Sequence, residues 1–595
     1  FNGIVTSFGY AGTHGRYVTY HATLRPWLWL LSQASDCRIF QHMSVPDVVS
    51  KVFRDHACSD FKLTLSGTYP QRDYIVQYRE TTLSFVQRLL EQEGIYYYFK
   101  HEESRHSLEI VDSMTAHLAQ DGYEKVPFFP PGKFNEEDHI EHWSAQRHVR
   151  TGAYAFTDFD FKKPRADLKL ELSNPGKYEH SDKEFYDYPG GYEAIDDGER
   201  YLRARAESLQ EGELGFSGRG NARGLGAGLL FELEKFPRDK LNCKYLITAA
   251  SYTVDSGEYE SRDRRDADPF RCTLSAVDSA IPYVARRTTP KPTIAGPQTA
   301  TVVGPKSEEI WTDEYARVKV QFHWDPIGKR DESSSGWIRV GQVWAGTGWG
   351  GIHIPRIGQE VIVEFLEGDP DRPLITGRVY NNANKPPYEL PDNQTQSGIK
   401  SRSTPKGGID NFNELRFEDK KGEEQLYMQA ERNMDTLVKK NQSLTVQADR
   451  TKTITGRETN KIDGGRETVI EKFDNLTVNS ANKNTTVHGQ FNTVADEHYK
   501  VQQKATQLFM KDKVYVESDG DIELRNGGTH YRALQGGKLS LTVSDEVSIT
   551  CGASSIKLKK DGTIEITGVK VKIGTKTNNT QYEPPGISVS AATIS

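Results

Sequence analysis

From residue 438 onward a branched aliphatic side chain returns at a fixed interval. Val438, Val446, Ile454, Ile462, Ile470, Val478 and Val494 lie on one period of eight, which only Thr486 breaks, and polar residues dominate the positions between. Eight is an even number, so in an extended strand every marked side chain points to the same face. Glycine follows two residues later in Ile454-Thr455-Gly456 and Ile462-Asp463-Gly464, and a third copy, shifted by one, is Val487-His488-Gly489. These glycines predict a tight bend into the next strand. Alternation continues in Lys513–Glu517, Asp521–Arg525 and Gly562–Ile566. One octad cannot bury its single apolar row, so the repeats must stack. Even stacked, one bulky residue in eight does not offset a conformational cost of about 1–2 kcal/mol per ordered residue. The pattern therefore predicts identical chains wound together on a thin shared apolar axis. Three-fold closure is the expectation, and winding leaves few free strand edges.

The preceding 400 residues follow other rhythms. Ser44-Val45-Pro46-Asp47, then Val48, Val49, Val52 and Phe53, predict a helix capped by Ser44 with proline in its first turn. Leu83, Val86, Leu89 and Leu90 recur at helical spacing, with Thr82 as the expected cap and Gly94 as the left-handed stop. Ile95–Phe99, Lys244–Thr248 and Thr273–Ala276 read as strands. Residues 1–295 are thus expected to form an α+β base domain. Within 296–391, short strands of alternating polarity are expected at Arg317–His323, Gly336–Val340, Gln359–Phe365 and Leu374–Tyr380, with turns at Asp325–Gly328 and Gly368–Asp371. About five short strands in so few residues suit a Greek-key barrel of the OB type. A linker (392–410), the octad needle (411–576) and a tail (577–595) complete a multidomain, mainly β organisation. Glu583-Pro584-Pro585-Gly586 ends the needle pattern and makes the tail a plausible docking site for a tip or adaptor.

Composition sharpens these boundaries. All eight tryptophans lie at or before Trp349, and none of the 26 prolines falls between Lys406 and Glu583. The chain has 595 residues and a formal net charge of −7. Its first 400 residues hold 48 Lys+Arg against 57 Asp+Glu, so no basic surplus points to nucleic acid. Apolar runs such as Trp27–Leu31 are far too short to span a bilayer. Cys37, Cys58, Cys243, Cys272 and Cys551 include no C-x-x-C pair, which fits neither a disulfide scaffold nor a cysteine zinc site and suggests a reducing compartment. The opening at Phe1 predicts an incomplete N-terminus, and no signal-peptide pattern is visible.

Candidate chemistry is sparse. Gly218, Gly220, Gly224, Gly226 and Gly228 imitate a phosphate loop, but no Lys-Ser/Thr follows and the dinucleotide spacing is not met. A loop leading into a strand at Leu229–Leu233 is the better reading. His139, Glu141, His142 and His148 lack the i, i+4 helical pair of zinc hydrolases and read as surface polar groups. Glu102/Glu103 and Glu136/Glu137/Asp138 could be paired glycosidase carboxylates, yet nothing in the sequence raises one pKa above the other. Trp324, Trp337, Trp344 and Trp349 could stack on bases, but in this acidic setting they read as packing groups. No catalytic residue, cofactor or metal is expected.

Three segments carry a family resemblance. They are Tyr315–Asp325 (YARVKVQFHWD), Pro355–Pro373 (PRIGQEVIVEFLEGDPDRP) and Gly377–Asn381 (GRVYN). Together they strongly resemble the VgrG (valine-glycine repeat) spike proteins of type VI secretion. Gln77–Thr81 and Phe85–Ile95 resemble the hub domain of that family, and the octads resemble its needle. The resemblance implies a trimeric relative of contractile phage tails, with a phage-hub-like base, an OB-fold collar and a triple-stranded intertwined β-helix. It also implies a non-enzymatic, cell-puncturing spike that caps a tube of Hcp hexamers and is held by baseplate components. Such a spike carries a PAAR-type tip and a cargo effector or adaptor, and meets a target membrane only during penetration. Assembly in the bacterial cytoplasm followed by secretion is implied as well. The related phage needle holds a lysozyme domain between collar and fibre, whereas here only Asp392–Thr404 lies there. Some members append an enzymatic effector past the needle, and Ser595 follows too closely for one. A phage or tailocin spike acting in envelope attachment is the alternative.

Overall fold

The computed structural model describes residues 1–131, 137–210, 213–255, 270–501 and 543–569. The chain divides into two compact units, Phe1–Thr445 and Val446–Ser595. The strand patterns at Lys513–Glu517 and Asp521–Arg525 and the 577–595 tail lie outside the described residues.

In the first unit, helix α1 (Val45–Asp55) is capped as expected: the Ser44 hydroxyl accepts the Asp47 amide at 3.3 Å, and Pro46 sits in the first turn. Its face Val45, Val48, Val49, Val52 and Phe53 is fully buried. Helix α2 (Thr82–Glu93) begins one residue earlier than its apolar spacing indicated. Thr81, not Thr82, is the cap, accepting the Ser84 amide at 3.1 Å, while Thr82 is buried. Gly94 ends α2 at φ 75°, the left-handed conformation that glycine adopts without strain. Phe85, Val86, Leu89 and Leu90 of α2 share a core with α1, Trp27, Phe40, Ile75 and Ile110. The expected strand at 95–99 runs from Tyr96 to His101 and pairs with His106–Val111.

A six-stranded sheet follows in the order Lys125–Pro127, Leu230–Glu234, Lys244–Val254, Phe270–Asp278, Leu214–Gly220, Ile140–Arg147. Its core is aromatic: Trp143, Phe216 and Phe231 surround Tyr245 with ring centroids 4.7–5.8 Å apart. Helix α3 (Ile195–Gln210) packs Tyr201, Leu202 and Ala206 on a smaller cluster with Tyr154, Phe156 and Tyr192.

The collar is a five-stranded sheet in the order Lys319–Phe322, Gln298–Val303, Glu360–Phe365, Pro373–Val379, Arg339–Val340. Its two edges meet where Val318 and Ile338 exchange backbone hydrogen bonds at 2.8 and 3.0 Å, closing a barrel. Alternate residues Ala300/Val302, Val318/Val320/Phe322 and Val361/Val363 fill its interior, the two-residue period that the sequence showed. Residues 392–410 are not all linker: Gln396–Lys400 pairs with Glu414–Glu418, which pairs with Gln425–Gln429. In the second unit, Glu546–Cys551, Ser554–Lys559 and Ile564–Thr567 form an antiparallel meander.

Candidate assembly site

The octads have a visible backbone rhythm. Two-residue bends fall at 439–440, 447–448, 455–456, 463–464 and 471–472, then at 488–489 and 496–497, with straight extended runs between them. One three-residue bend, at 479–481, breaks the interval. The extra residue there moves the register on by one. Val487 therefore precedes its bend as Val478 does, and Val494 falls one place early. Side-chain exposure agrees: Val438, Val446, Ile454, Val478 and Val487 are 43–46 % exposed, whereas Val494 is 87 % exposed. Ile462 and Ile470, at 52 and 51 %, stay with the row. Val487 replaces Val494 as the register residue, because counting by eight cannot see an insertion. The misfit at Thr486 and the shifted Val487-His488-Gly489 were its trace in the sequence.

Gly456, Gly464 and Gly489 occupy the second residue of their bends, but none adopts a positive φ. A Cβ placed on each meets nothing of this chain within 4 Å. Other bends use Lys439-Lys440 and Glu471-Lys472, so the turn itself does not need glycine. Among the described residues 432–501, no backbone hydrogen bond is made to any part of the same chain. Extended peptide with its N–H and C=O groups unpaired and an apolar row half exposed is an interface awaiting partners.

Two further apolar surfaces were not anticipated. The hairpin Ile4–His14/Tyr17–Arg25 exposes Val5, Phe8, Tyr10, Val18, Tyr20 and Leu24. The small hairpin of Trp344–Ala345 with Gly350–Gly351 exposes both Trp344 and Trp349, whose rings meet edge-to-face at 4.9 Å. Trp324 and Trp337 instead pack internally, Trp324 on Phe322 and Trp337 on Trp311.

Base and collar are joined by a polar cluster. Asp371 accepts the Val76 amide at 2.7 Å, and the Lys291 ammonium lies 2.6 Å from both Asp369 and Asp371. Burial alone would raise the Asp371 carboxyl, but Lys291, Arg88 and the Val76 amide outweigh it and hold it below the ordinary carboxylate value. Arg372 reaches the buried Asp158 at 2.5 Å, and Gln298 links the Tyr78 hydroxyl to the Trp324 indole at 2.8 and 2.9 Å. Glu93 at the end of α2 takes both Arg72 and Arg200, tying α2 to α3.

The groups weighed for catalysis are engaged in structure. Glu141 accepts Arg219 at 2.7 Å, the His139 ring faces the Glu137 carbonyl at 2.8 Å, and Glu102 pairs with Arg105 at 2.8 Å. His142 and His148 lie on and just past the strand Ile140–Arg147. Asp138 accepts the Tyr123 hydroxyl, and Glu136 lies outside the described residues. Gly218 and Gly220 belong to a strand rather than a loop. Their missing side chains let it lie against the Trp143 ring and the His139 carbonyl. The strand expected at Leu229–Leu233 runs from Leu230 to Glu234.

Comparison with known proteins adds three family matches. Residues 1–258 match the phage tail baseplate hub (GPD), 306–380 the type VI secretion system/phage-baseplate injector OB domain, and 397–510 the bacteriophage T4 gp5 C-terminal trimerisation domain. Among curated relatives, the type VI secretion system spike protein VgrG1b of Pseudomonas aeruginosa is 50 % identical over 455 residues, 76 % of this chain and 61 % of that protein. VgrG1a of the same organism is 50 % identical over 447 residues, covering 75 % of this chain and 70 % of that protein. The actin cross-linking toxin VgrG1 of Vibrio cholerae is 34 % identical over 480 residues, covering 78 % of this chain but 43 % of that protein.

Proposed function

This chain belongs to the VgrG family of type VI secretion system spike proteins, and on that premise we propose that it is the non-enzymatic, trimeric puncturing spike of such a system. The observation that carries the reading is the octad segment, 432–501, whose described backbone has no hydrogen-bond partner in its own chain. The match of 397–510 to a trimerisation domain supports supplying those partners from two further copies. In that assembly the row Val438, Val446, Ile454, Ile462, Ile470, Val478 and Val487 lines the three-fold axis. Gly456, Gly464 and Gly489 leave room at the bends for the neighbouring chains.

The mechanism is force transmission. Interchain backbone bonding around an apolar axis makes a stiff, narrow fibre that concentrates thrust on its tip. The polar cluster at Asp371 carries that thrust from the base into the collar. Boundaries near 295, 391, 410 and 576 fit this division of labour, with the collar core as support for the second domain. The base caps a tube of Hcp hexamers and engages baseplate components before firing. The 577–595 tail receives a PAAR-type tip or an adaptor for cargo. The spike assembles in the bacterial cytoplasm and leaves with the tube.

Light scattering on the full chain at low concentration and high salt tests the reading. A stable species of about 201 kDa, three times 67.1 kDa, is expected. A monomer overturns it. In cells, deletion of the gene is expected to stop release of the Hcp tube protein, and unchanged release contradicts the spike role.

A further inference from the structure

Each octad can be numbered from its bend, with the two bend residues first and the branched aliphatic residue eighth. In five successive octads the fourth place then reads Arg450, Glu458, Arg466, Asp474 and Lys483. The sign of the charge reverses at every step. The fourth, sixth and eighth places share one face of an extended run, so these charges lie on the side of the aliphatic row. Large side chains show the same division: Met434 in the fourth place and Leu444 and Leu476 in the sixth are 63–65 % exposed, against 79–87 % for Leu437, Val469 and Val494 in the seventh. Lys452, in the sixth place, already contacts Glu458, and the Asn460 amide donates to Glu458 at 3.1 Å.

The aliphatic row has a weakness as a specifier of structure. A slip of eight residues between two chains restores it, so apolar burial cannot choose among registers. The charge column can. If each octad turns the chain through a third of a circle, three-fold symmetry brings one octad of a chain onto the face that holds the preceding octad of its neighbour. The two strands run parallel with matching places aligned, about 4.8 Å apart. Glu458 of one copy then stacks on Arg450 of the next, Arg466 on Glu458, Asp474 on Arg466 and Lys483 on Asp474. Every interior charge of the middle octads gains an opposite neighbour, as charges withdrawn from water require. Slipping one chain by a single octad sets like charges against each other along the whole column.

We propose that the alternating column Arg450, Glu458, Arg466, Asp474 and Lys483 sets the register in which copies of this chain interlock. The partner is a second and third copy of the chain itself, so the proposal rests on the trimeric reading above.

Two measurements on the full-length chain test it. First, an R450C/E458C variant is oxidised and run on a non-reducing gel, with the wild-type chain controlling for the native cysteines. The stacked register brings the two Cα atoms within the roughly 4.4–6.8 Å that a disulfide spans, so covalent trimers are expected. R450C/R466C, two octads apart, is expected to stay as single chains, and trimers from that pair instead overturn the register. Second, D474R places like charges above and below at three symmetric points and is expected to lower the trimer melting temperature by at least ~5 °C. Reversal of the whole column, R450E/E458R/R466E/D474R/K483E with K452E, restores alternation and is expected to recover wild-type melting. A trimer indifferent to D474R, or one that full reversal does not rescue, overturns the ladder alone. A monomeric wild-type chain overturns the trimeric reading and the ladder with it.

Discussion

The carboxylate of Asp371 accepts the backbone amide of Val76 at 2.7 Å across a sequence separation of 295 residues. Val76 lies on the strand Ile75–Thr81 of the base, and Asp371 on the collar turn that precedes the strand Pro373–Val379. A single charged group thus closes one domain onto another, with Lys291 as its counter-ion. Removing it leaves Lys291 with Asp369 alone and strips the amide of its acceptor. Asp371→Ala is expected to cost about 3 kcal/mol, in the range for one partner lost from a buried pair. A thermal melt checks this, and near-identical melting to the parent contradicts the bolt.

The same residue sets an acid limit. Its folded pKa is depressed below the ordinary 3.8, so its stabilisation is complete above that value and drains away as pH falls beneath it. Asp371→Asn is therefore expected to flatten the loss of stability below pH ~4 relative to the parent. Denaturant titrations at several pH values decide the point, and equal acid slopes refute it.

A second pH dependence belongs to His117. Its Nδ1 donates to the Gly228 carbonyl at 2.8 Å, which leaves Nε2 to accept the Tyr96 hydroxyl at 2.9 Å. Burial pushes its pKa below 6.5, so the unfolded chain binds the proton first. Stability from the neutral ring is whole above pH 6.5 and declines as pH falls through that value toward the lowered one. Hydrogen exchange at Tyr96 and Gly228 should quicken between pH 7 and 5.5 in the parent, and less so in His117→Gln.

The inserted residue at 479–481 makes a prediction about position. Val487→Asp is expected to break trimers, because three carboxylates then converge on one apolar level. Val494→Asp, one place off the row, should leave the trimer mass unchanged by light scattering. Equal effects at the two sites would remove Val487 from the axis.

Two glycines divide structural need from assembly need. A Cβ on Gly220 would sit 2.1 Å from the His139 carbonyl and 2.9 Å from the Ile140 Cα, both backbone, so Gly220→Ala should cost several kcal/mol in the base, on the order of an overpacked core. A Cβ on Gly464 meets nothing in its own chain, so any loss from Gly464→Ala appears only in trimer stability. Separate melting of base and needle, followed by intrinsic fluorescence for the tryptophan-bearing base and circular dichroism for the whole chain, distinguishes the two.

Local signals were legible where one residue type decides a local conformation. Ser44 and Gly94 marked the ends of α1 and α2 because capping and left-handed stops are set by nearest neighbours. The cap of α2 slipped from Thr82 to Thr81 because two adjacent threonines satisfy the same rule, and burial of Thr82 decided between them. Helix α3 went unread: only Tyr201, Leu202 and Ala206 of its apolar face are buried, and Gly198 lies inside it. Its stability comes from tertiary packing and from Arg200 reaching Glu93, which no local window contains. The candidate assembly row was legible as a period, but its phase beyond residue 479 was not, since one added residue is invisible to a fixed count. The bolt at Asp371 was unreadable for the opposite reason, as its partner lies almost 300 residues away.

The unbonded octads also order events in time. The base and collar each have a core of their own and lie earlier in the chain, so they can fold as the ribosome proceeds. The octads gain nothing from folding until two other copies arrive. In the proposed spike, a paired base gathers three tails at an effective concentration in the millimolar range, far above that of free chains. Winding then starts beside the collar and runs toward the free end, as a zip closes. The age of a nascent spike is written in how far that zip has travelled, and a cell's proteases would find the newest spikes by their open ends.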